Sequence, residues 1–503
     1  MVARSRQRRL LGRLVGGSLC ALAAAALAGA AAAETLGDAI ALAYQTNPTL
    51  QAQRATQRAL DETYVQARAG FRPTASAQAE ISRQVTNQLG SYDNNVAGVS
   101  LNIDQPLYTG GRVSSQVTAA EADVLAGRES LRHSEIQLLQ QVVGAYVDVR
   151  RDQQRLAISQ ENVAVLQRQL EESRARFDAG EVTRTDVAQT EARLAAAQAT
   201  LASSQAQLAI SRSAYAAVVG QNPGQLAPEP PLARLIPANV DQAFDSAERN
   251  NPQMRQQDYA EQGSAARVAE AKAQTRPSVD LRGTFGYGGL GLGTASPFAD
   301  YSHNIQGSAV VTVPLFTGGQ TQSQIRQAAE RNNADRINIE SVRRQVLLDV
   351  SQAWNQLLGS RANVLSNEEQ VRAAGVAYEG IKQEESVGLR TTLDVLNQEQ
   401  ELRNAELSLV NARHDEYVAG AAVLSAMGVL DVRVFAADTP TYDPRANFDK
   451  VRHSFGWTPW EPAVEALDHV AAPRVIERPA PSPVGEVVPT AGVAEDAKAP
   501  KGQ

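Results

Sequence analysis

Between Pro106 and Pro223, and again between Pro314 and Pro440, this chain contains no proline. Inside the first stretch Val142, Val149, Leu156, Val163, Leu170 and Phe177 recur every seventh residue, and inside the second Val350, Leu357, Val364, Val371 and Tyr378 hold the same phase. Leu194, Leu201, Leu208 and Tyr215 repeat it on a returning segment. Proline ends helices, and an unbroken seven-residue apolar period winds helices round one another in a left-handed supercoil. Each stretch therefore predicts a helical hairpin. The hairpins turn at "FDAGEVTRTD" and "ESVGLRTTLD", where Gly180 and Gly388 supply the residue that stops a helix. The outgoing helix from Gly111 to Phe177 has ~66 residues, which at ~1.5 Å each makes it ~100 Å long. No compact domain accommodates such a rod.

The two hairpins belong to a duplication. "LYTGG" at 107–111 matches "LFTGG" at 315–319 at an offset of 208, and without a gap the same offset pairs Ala145-Tyr146 with Ala353-Trp354, Gly180 with Gly388 and Asp186-Val187 with Asp394-Val395. Upstream the offset is 204, pairing Asn47-Pro48 with Asn251-Pro252 and Arg72-Pro73 with Arg276-Pro277. Each half opens on an alanine-rich helical segment, broken at Asn-Pro and stopped at Arg-Pro. Two strands follow. Ala75, Ala77, Ala79 and Ile81 alternate with polar residues, as do Val99, Leu101 and Ile103, then Val279, Leu281 and Phe285, then Val311, Val313 and Leu315. Period two gives each strand one apolar face. The Gly110-Gly111 and Gly318-Gly319 pairs then form the corners between strand and helix, where glycine permits the bend and Thr109 or Thr317 is placed to cap the helix.

The N-terminus is a leader. Five arginines precede an apolar run from Leu14 to Leu27 that is too short to span a bilayer, and "AAAE" offers cleavage after Ala33. Cleavage removes Cys20, the only cysteine, and takes the formal charge from −7 to −12. An exported acidic chain without cysteine excludes disulfides and disfavours nucleic acid as a partner. The five histidines are scattered, and no nucleophile elbow, phosphate loop or histidine-acid cluster occurs. The sequence thus implies no enzyme, no cofactor and no catalytic or metal site. No apolar stretch after the leader approaches the ~20 residues of a transmembrane helix. A membrane crossing would have to use strands.

Four strands cannot close a barrel, and open edges are not tolerated in lipid. Either they pack as a sandwich, or several chains pool them and their long helices form a cylinder continuous with the barrel. With its two "PL(Y/F)TGG" corners, its two Asn-Pro and Arg-Pro sites and the "VGLRTTLDVL" tip, the chain resembles the TolC family of outer-membrane channel-tunnels from about Glu34 to Leu430. The resemblance implies a homotrimer with a 12-stranded β-barrel in outer-membrane lipid. It also implies a long periplasmic α-helical barrel that meets an inner-membrane transporter through a periplasmic adaptor. It further implies an iris at the hairpin tips, with Asp394 at the aperture and Thr185, Asp186 and Arg390 tying neighbouring hairpins. Asn397 stands where the family's second aperture carboxylate lies, and Glu385 replaces a tyrosine of the constricting network. On the residues alone, Asp186 and Asp394 are as readily helix caps, worth ~0.3–1 kcal/mol, and Arg390 with Asp394 is a solvated surface pair.

The expected organisation is an α+β membrane protein. Residues 1–33 are the signal peptide, and 34–220 the first repeat, with strands at about 74–86 and 96–107 and a hairpin at about 110–220. Residues 221–237 are a linker, and 238–430 the second repeat, with strands at about 278–288 and 304–316 and a hairpin at about 318–428. A Pro/Ala-rich extension at 431–503 is partly disordered, with aromatics that can dock on the body. The expected function is the passive exit duct of a tripartite efflux pump or type I protein secretion system. The alternative is a periplasmic coiled-coil scaffold or adaptor. Drugs, proteins and metals all remain open as substrates.

Overall fold

The computed structural model describes residues 33–86, 92–292, 301–452, 456–469 and 472–479. The leader, most of each strand-connecting loop and the tail from 480 lie outside the described residues. Helices α1 (Leu36–Thr46) and α2 (Pro48–Arg68) lead into strands β1 (Thr74–Thr86) and β2 (Tyr92–Tyr108). Helix α3 (Arg112–Asp178) then runs out, and α4 (Arg184–Val219) returns. The second half repeats this with α5 (Val240–Asn250), α6 (Pro252–Ala273), β3 (Ser278–Leu292), β4 (Tyr301–Thr312), α7 (Gln320–Ser386) and α8 (Thr392–Ala426). Short helices α9 (Val432–Phe435), α10 (Pro444–Val451) and α11 (Glu461–Asp468) lie in the C-terminal extension. At 67 residues each, α3 and α7 are ~100 Å rods.

The duplicated Asn-Pro motif has the same task in both halves. Asn47 Oδ1 accepts from Thr49 N at 3.0 Å, capping α2 with Pro48 in its first turn, while its Nδ2 donates to Val218 O at 3.0 Å near the end of α4. Asn251 caps α6 through Gln253 N at 2.9 Å and donates to Ala426 O at 2.9 Å in α8. One side chain thereby satisfies a donor at the start of one helix and an acceptor at the end of another.

The strands form one antiparallel sheet in the order β1-β2-β3-β4. Registers such as Ala79↔Val99, Leu101↔Phe285 and Phe285↔Ile305 bring the apolar residues of all four strands onto one face. That face stays open: Ile81 is 78% exposed and Ile305 74%. The other face carries Gln78, Asn102, Thr284 and an Arg282–Asp104 pair at 3.2 Å. Away from the corners no apolar core forms on either face among the described residues. The two hairpins share one register, since Thr74↔Asp104 becomes Ser278↔Thr312 under the two sequence offsets. β1 keeps its expected span, whereas β2, β3 and β4 run further at their loop ends than the alternation indicates, to Tyr92, Leu292 and Tyr301. At its other end β4, expected to reach 316, stops at Thr312 where its partner β3 begins. Beyond that residue the strand has no neighbour in the sheet to pair with.

Gly111 and Gly319 occupy the cap positions of α3 and α7, with φ 84° and 83°, and Gly110 and Gly318 precede them at φ 71° and 62°. All four glycines hold a backbone region that other residues resist. At the first corner the Thr109 hydroxyl accepts from Val113 N at 3.1 Å, as expected of a cap, and a second capping group comes from the far end of the chain. The Asp468 carboxylate accepts from Thr109 N at 2.7 Å, Gly111 N at 3.0 Å and Ser114 N at 3.2 Å, and from the Thr109 and Ser114 hydroxyls at 2.9 and 3.0 Å. Burial opposes its charge, but these donors prevail and hold the carboxyl below its usual range. Glu461, fully buried, takes Arg68 at 2.9 Å and Arg72 at 3.0 Å, and Trp460 Nε1 donates to Gln105 Oε1 at 3.0 Å. The extension is docked through residue 479, in contrast to a wholly loose tail.

The main core lies midway along the rods, where α1, α4, α5 and α8 converge on Val142, Tyr146 and Val149 of α3 and on Val350 and Leu357 of α7. Down α3 the heptad is buried at Val149, Val163 and Leu170, at 0, 8 and 7% exposure, and opens at Phe177 next to the tip, at 43%. A smaller cluster of Val163, Leu166, Ala197 and Leu396 closes the lower part. Beside it Glu399 is 2% exposed with neither carboxylate oxygen hydrogen-bonded, and burial pushes its pKa above the usual carboxylate range.

Two outcomes are expected. Asp468→Ala leaves three buried corner N–H groups without an acceptor, so it should lower the folding free energy by about 2–3 kcal/mol. Thermal unfolding of the purified protein checks this, and a wild-type midpoint would remove the cap from the corner. Because the Asp468 carboxyl is depressed, its contribution is present above the ordinary carboxylate range and lost as pH falls through the folded value. Glu399 has the opposite sign. Folded chains bind its proton more tightly, so stability declines as pH rises above the ordinary carboxylate value. Glu399→Gln should therefore stabilise at pH 7 by about 1 kcal/mol and be near neutral at pH 4, measured by denaturant titration at both pH values.

Candidate functional site at the hairpin tips

Each tip is built from two local devices in succession. The outgoing helix ends in a Schellman turn. Gly180 N donates to Phe177 O and Glu181 N to Arg176 O, both at 2.9 Å, and Gly388 and Leu389 repeat this on Glu385 O and Glu384 O at 2.9 Å. Gly180 and Gly388 both have φ 80°, as that turn requires. The returning helix then begins with a capping box. Asp186 Oδ2 accepts from Thr183 N at 2.9 Å and Thr183 Oγ1 at 2.8 Å, while Asp186 N donates to Thr183 Oγ1 at 3.3 Å. Thr391 and Asp394 form the same box at 3.0, 2.8 and 3.3 Å. Bonds from the threonine N–H and hydroxyl hold both aspartates below the usual carboxylate range, so both are anionic at neutral pH. Within one chain, the cap reading of Asp186 and Asp394 is thus met in full.

The other expected residues are not brought together as the resemblance implies. Thr185 is exposed in the first turn of α4. Arg390 bonds neither Thr185 nor Asp186 within the chain, and its Nε donates to Glu384 Oε2 at 2.9 Å across its own tip. The two positions that depart from the family pattern are the ones that join the hairpins. Glu385 Oε1 accepts from Arg176 Nη1 at 2.5 Å, linking α7 to α3, and Asn397 Oδ1 accepts from Arg193 Nη2 at 2.9 Å, linking α8 to α4.

Sequence reasoning missed Arg176 and Arg193. The 208-residue offset reverses the charge at both, to Glu384 and Glu401, but it does so equally at Asp123/Arg331 and Arg132/Glu340, and the bonds run to Glu385 and Asn397 instead of those counterparts, so the reversal does not single out these arginines. Glu399 and Arg403 were missed for a different reason. They look like ordinary charges on a helix face, and only packing reveals that Glu399 and the Arg403 Nε are enclosed without partners.

No helix among the described residues is long and apolar enough to cross a membrane, and no group of metal-ligating side chains forms among them. Among the described residues, the open apolar face of the sheet is a surface suited to lipid.

Comparison with known proteins agrees with this geometry. The profile of the outer membrane efflux protein family matches residues 39–221 and 243–429, one match per repeat. The outer membrane efflux protein BepC of Brucella suis biovar 1 is 35% identical over 423 residues, covering 84% of this chain and 91% of that protein. The alkaline protease secretion protein AprF of Pseudomonas aeruginosa is 26% identical, covering 68% of this chain and 71% of its own. Among solved structures, the open state of the MtrE outer membrane channel of Neisseria gonorrhoeae superposes with a TM-score of 0.66 at 21% identity, covering 81% of this chain and 91% of that one. With both repeats matched and the fold shared, the chain belongs to the outer membrane efflux protein family and is an outer-membrane exit duct that extends into the periplasm.

Proposed function

We propose that three copies of this duct close into one channel, gated at the hairpin tips and powered from outside. The observation that carries the reading is the sheet. Its apolar face is open, its opposite face is polar, and β1 and β4 are edges without partners in the chain. Lipid on one side and water on the other suits such faces, but lipid tolerates no unpaired edge. Three four-stranded sheets joined edge to edge give twelve strands and no edge. The helices support the same count, because α7 leaves Ile337, Leu365 and Val376 each more than 60% exposed, and a neighbouring copy would cover them. A soluble scaffold or adaptor offers no account of an uncovered apolar sheet.

Transport through this assembly is passive, with no catalytic role for the chain. An inner-membrane transporter supplies the energy, and a periplasmic adaptor joins it to the hairpins. That relatives include an outer membrane efflux protein and an alkaline protease secretion protein supports both efflux and protein cargo. The gate combines two sets of ties. Arg176–Glu385 and Arg193–Asn397 join hairpins within a subunit, while Arg390, Thr185 and Asp186 reach between subunits and Asp394 faces the aperture. A charge-assisted bond contributes ~1.5–3 kcal/mol when buried, reduced to about 1 kcal/mol at the partly exposed Arg176. Threefold repetition brings the total to a few kcal/mol, enough to hold an iris mostly closed.

Single-channel recording tests this. Three copies at −12 carry about −36, so the open channel should prefer cations at moderate salt, and anion preference would defeat the assignment of the polar face to the lumen. Arg176→Ala with Arg193→Ala should raise conductance over wild type, as should Arg390→Ser with Asp186→Ala. Whichever pair leaves conductance unchanged does not hold the gate.

A further inference from the structure

The Arg-Pro motif is repeated as faithfully as the Gly-Gly corner, yet the duct reading gives it no task. In the second half its task is visible. Arg276 Nη1 donates to Gly110 O at 2.8 Å, and the arginine lies so close that a Cβ on Gly110 would stand 2.8 Å from its own Cβ. The arginine of the second repeat therefore seats on the corner of the first. This follows from strand pairing: Tyr108↔Val279 ends the β2–β3 ladder, leaving Arg276 beside the glycines that follow Tyr108.

The first-half arginine has no such corner within its chain. The equivalent corner, Gly318-Gly319, has no described atom within 4 Å of where a Cβ would stand at either glycine. Arg72 is instead aimed by the C-terminal extension. Its Nε donates to the buried Glu461 at 3.0 Å, and its Nη1 passes Gly456 so closely that a Cβ there would lie at 3.2 Å.

We propose that Arg72 of the partner subunit completes the Gly318-Gly319 corner by donating to the Gly318 carbonyl, with Glu461 holding it in position. The inference rests on the trimeric reading above and makes it specific. Because the two hairpins obey the offsets of 204 and 208 in their own registers, the same offsets convert the β2–β3 ladder into the ladder between β4 and the partner's β1. Tyr108↔Val279 becomes Phe316 opposite Ala75, Gln105↔Leu281 becomes Val313 opposite Ala77, and Leu101↔Phe285 becomes Ala309 opposite Ile81. In that register the highly exposed Phe316 lies in a strand that continues to the corner as β2 does, and Arg72 arrives beside Gly318. The C-terminal extension is then part of the subunit interface through the side chain it orients.

The test uses the full-length protein in outer membranes. The mature chain has no cysteine, and residues directly opposite in neighbouring strands are close enough to bridge. Ala75→Cys with Phe316→Cys should give disulfide-linked trimers on non-reducing gels, whereas Ala77→Cys with Phe316→Cys, one diagonal away, should not. Linking only in the second pair overturns the register. Arg72→Ala with Glu461→Ala removes the bond without leaving a buried carboxylate alone. The expected result is loss of the trimer band at a temperature where wild type keeps it, with recovery when the Ala75/Phe316 cysteine pair is added. Wild-type heat resistance in the double variant overturns the role of Arg72. Loss that the disulfide fails to recover assigns Arg72 to folding of its own subunit and also overturns it. If wild type itself yields no trimer, the trimeric reading fails rather than the assignment of Arg72.

Discussion

One constraint bears on the rest of the molecule: backbone polar groups in lipid must be paired, and the described residues of a single chain supply four strands. Among those residues nothing covers the apolar face of the sheet or pairs with its edges. The duplication offers a way out. A hairpin used twice in one chain already contains a junction between repeats, the β2–β3 ladder, and in the proposed trimer that junction would be the template for joining chain to chain, register included.

Against that near-symmetry, the departures carry information. Asp468 caps the first corner and has no counterpart at the second. At the tips Glu385 and Asn397, which bond Arg176 and Arg193 of the other hairpin, replace Phe177 and Gln189 of the first half, so the repeat diverges at these contacts while its turns stay fixed. The Gly-Gly sites recur because backbone geometry demands them, and the Asn-Pro sites because each asparagine side chain bonds two helix ends. The tips diverge because their side chains choose partners.

The same distinction explains what could be read from the sequence. Helix ends at Gly180 and Gly388, the Asn-Pro breaks and the capping boxes are local, formed by residues within about six positions of each other, and they were legible. So was the alternating face of each strand, because period two survives without knowing the neighbour. Contacts closed over hundreds of residues were not. Nothing near Thr109 announces that its donors will be met by Asp468, and nothing at Glu385 announces Arg176. The end of β4 was misjudged for the same reason in reverse. The alternation through Val313 and Leu315 continues past Thr312, where β3 has no further residue to pair with it.

The change of packing along the rods has a mechanical consequence. Around Val142 and Val149 the heptad is sealed, and several helices share one apolar core. By Phe177 it is nearly half exposed, and the hairpins are joined by an arginine-glutamate pair and an arginine-asparagine bond. Apolar contact is non-directional and resists sliding only through shape, whereas a few charge-assisted bonds hold one geometry and release it when they break. In the proposed assembly, a tube built this way would be stiff where it must stay continuous with the membrane barrel and yielding where it must open. Opening by unpacking the heptad core would expose apolar surface to water at about 25 cal/mol for each Å². Opening by exchanging tip bonds with water exposes little. The apolar stripe can therefore remain intact along the shaft while the tips alone change state.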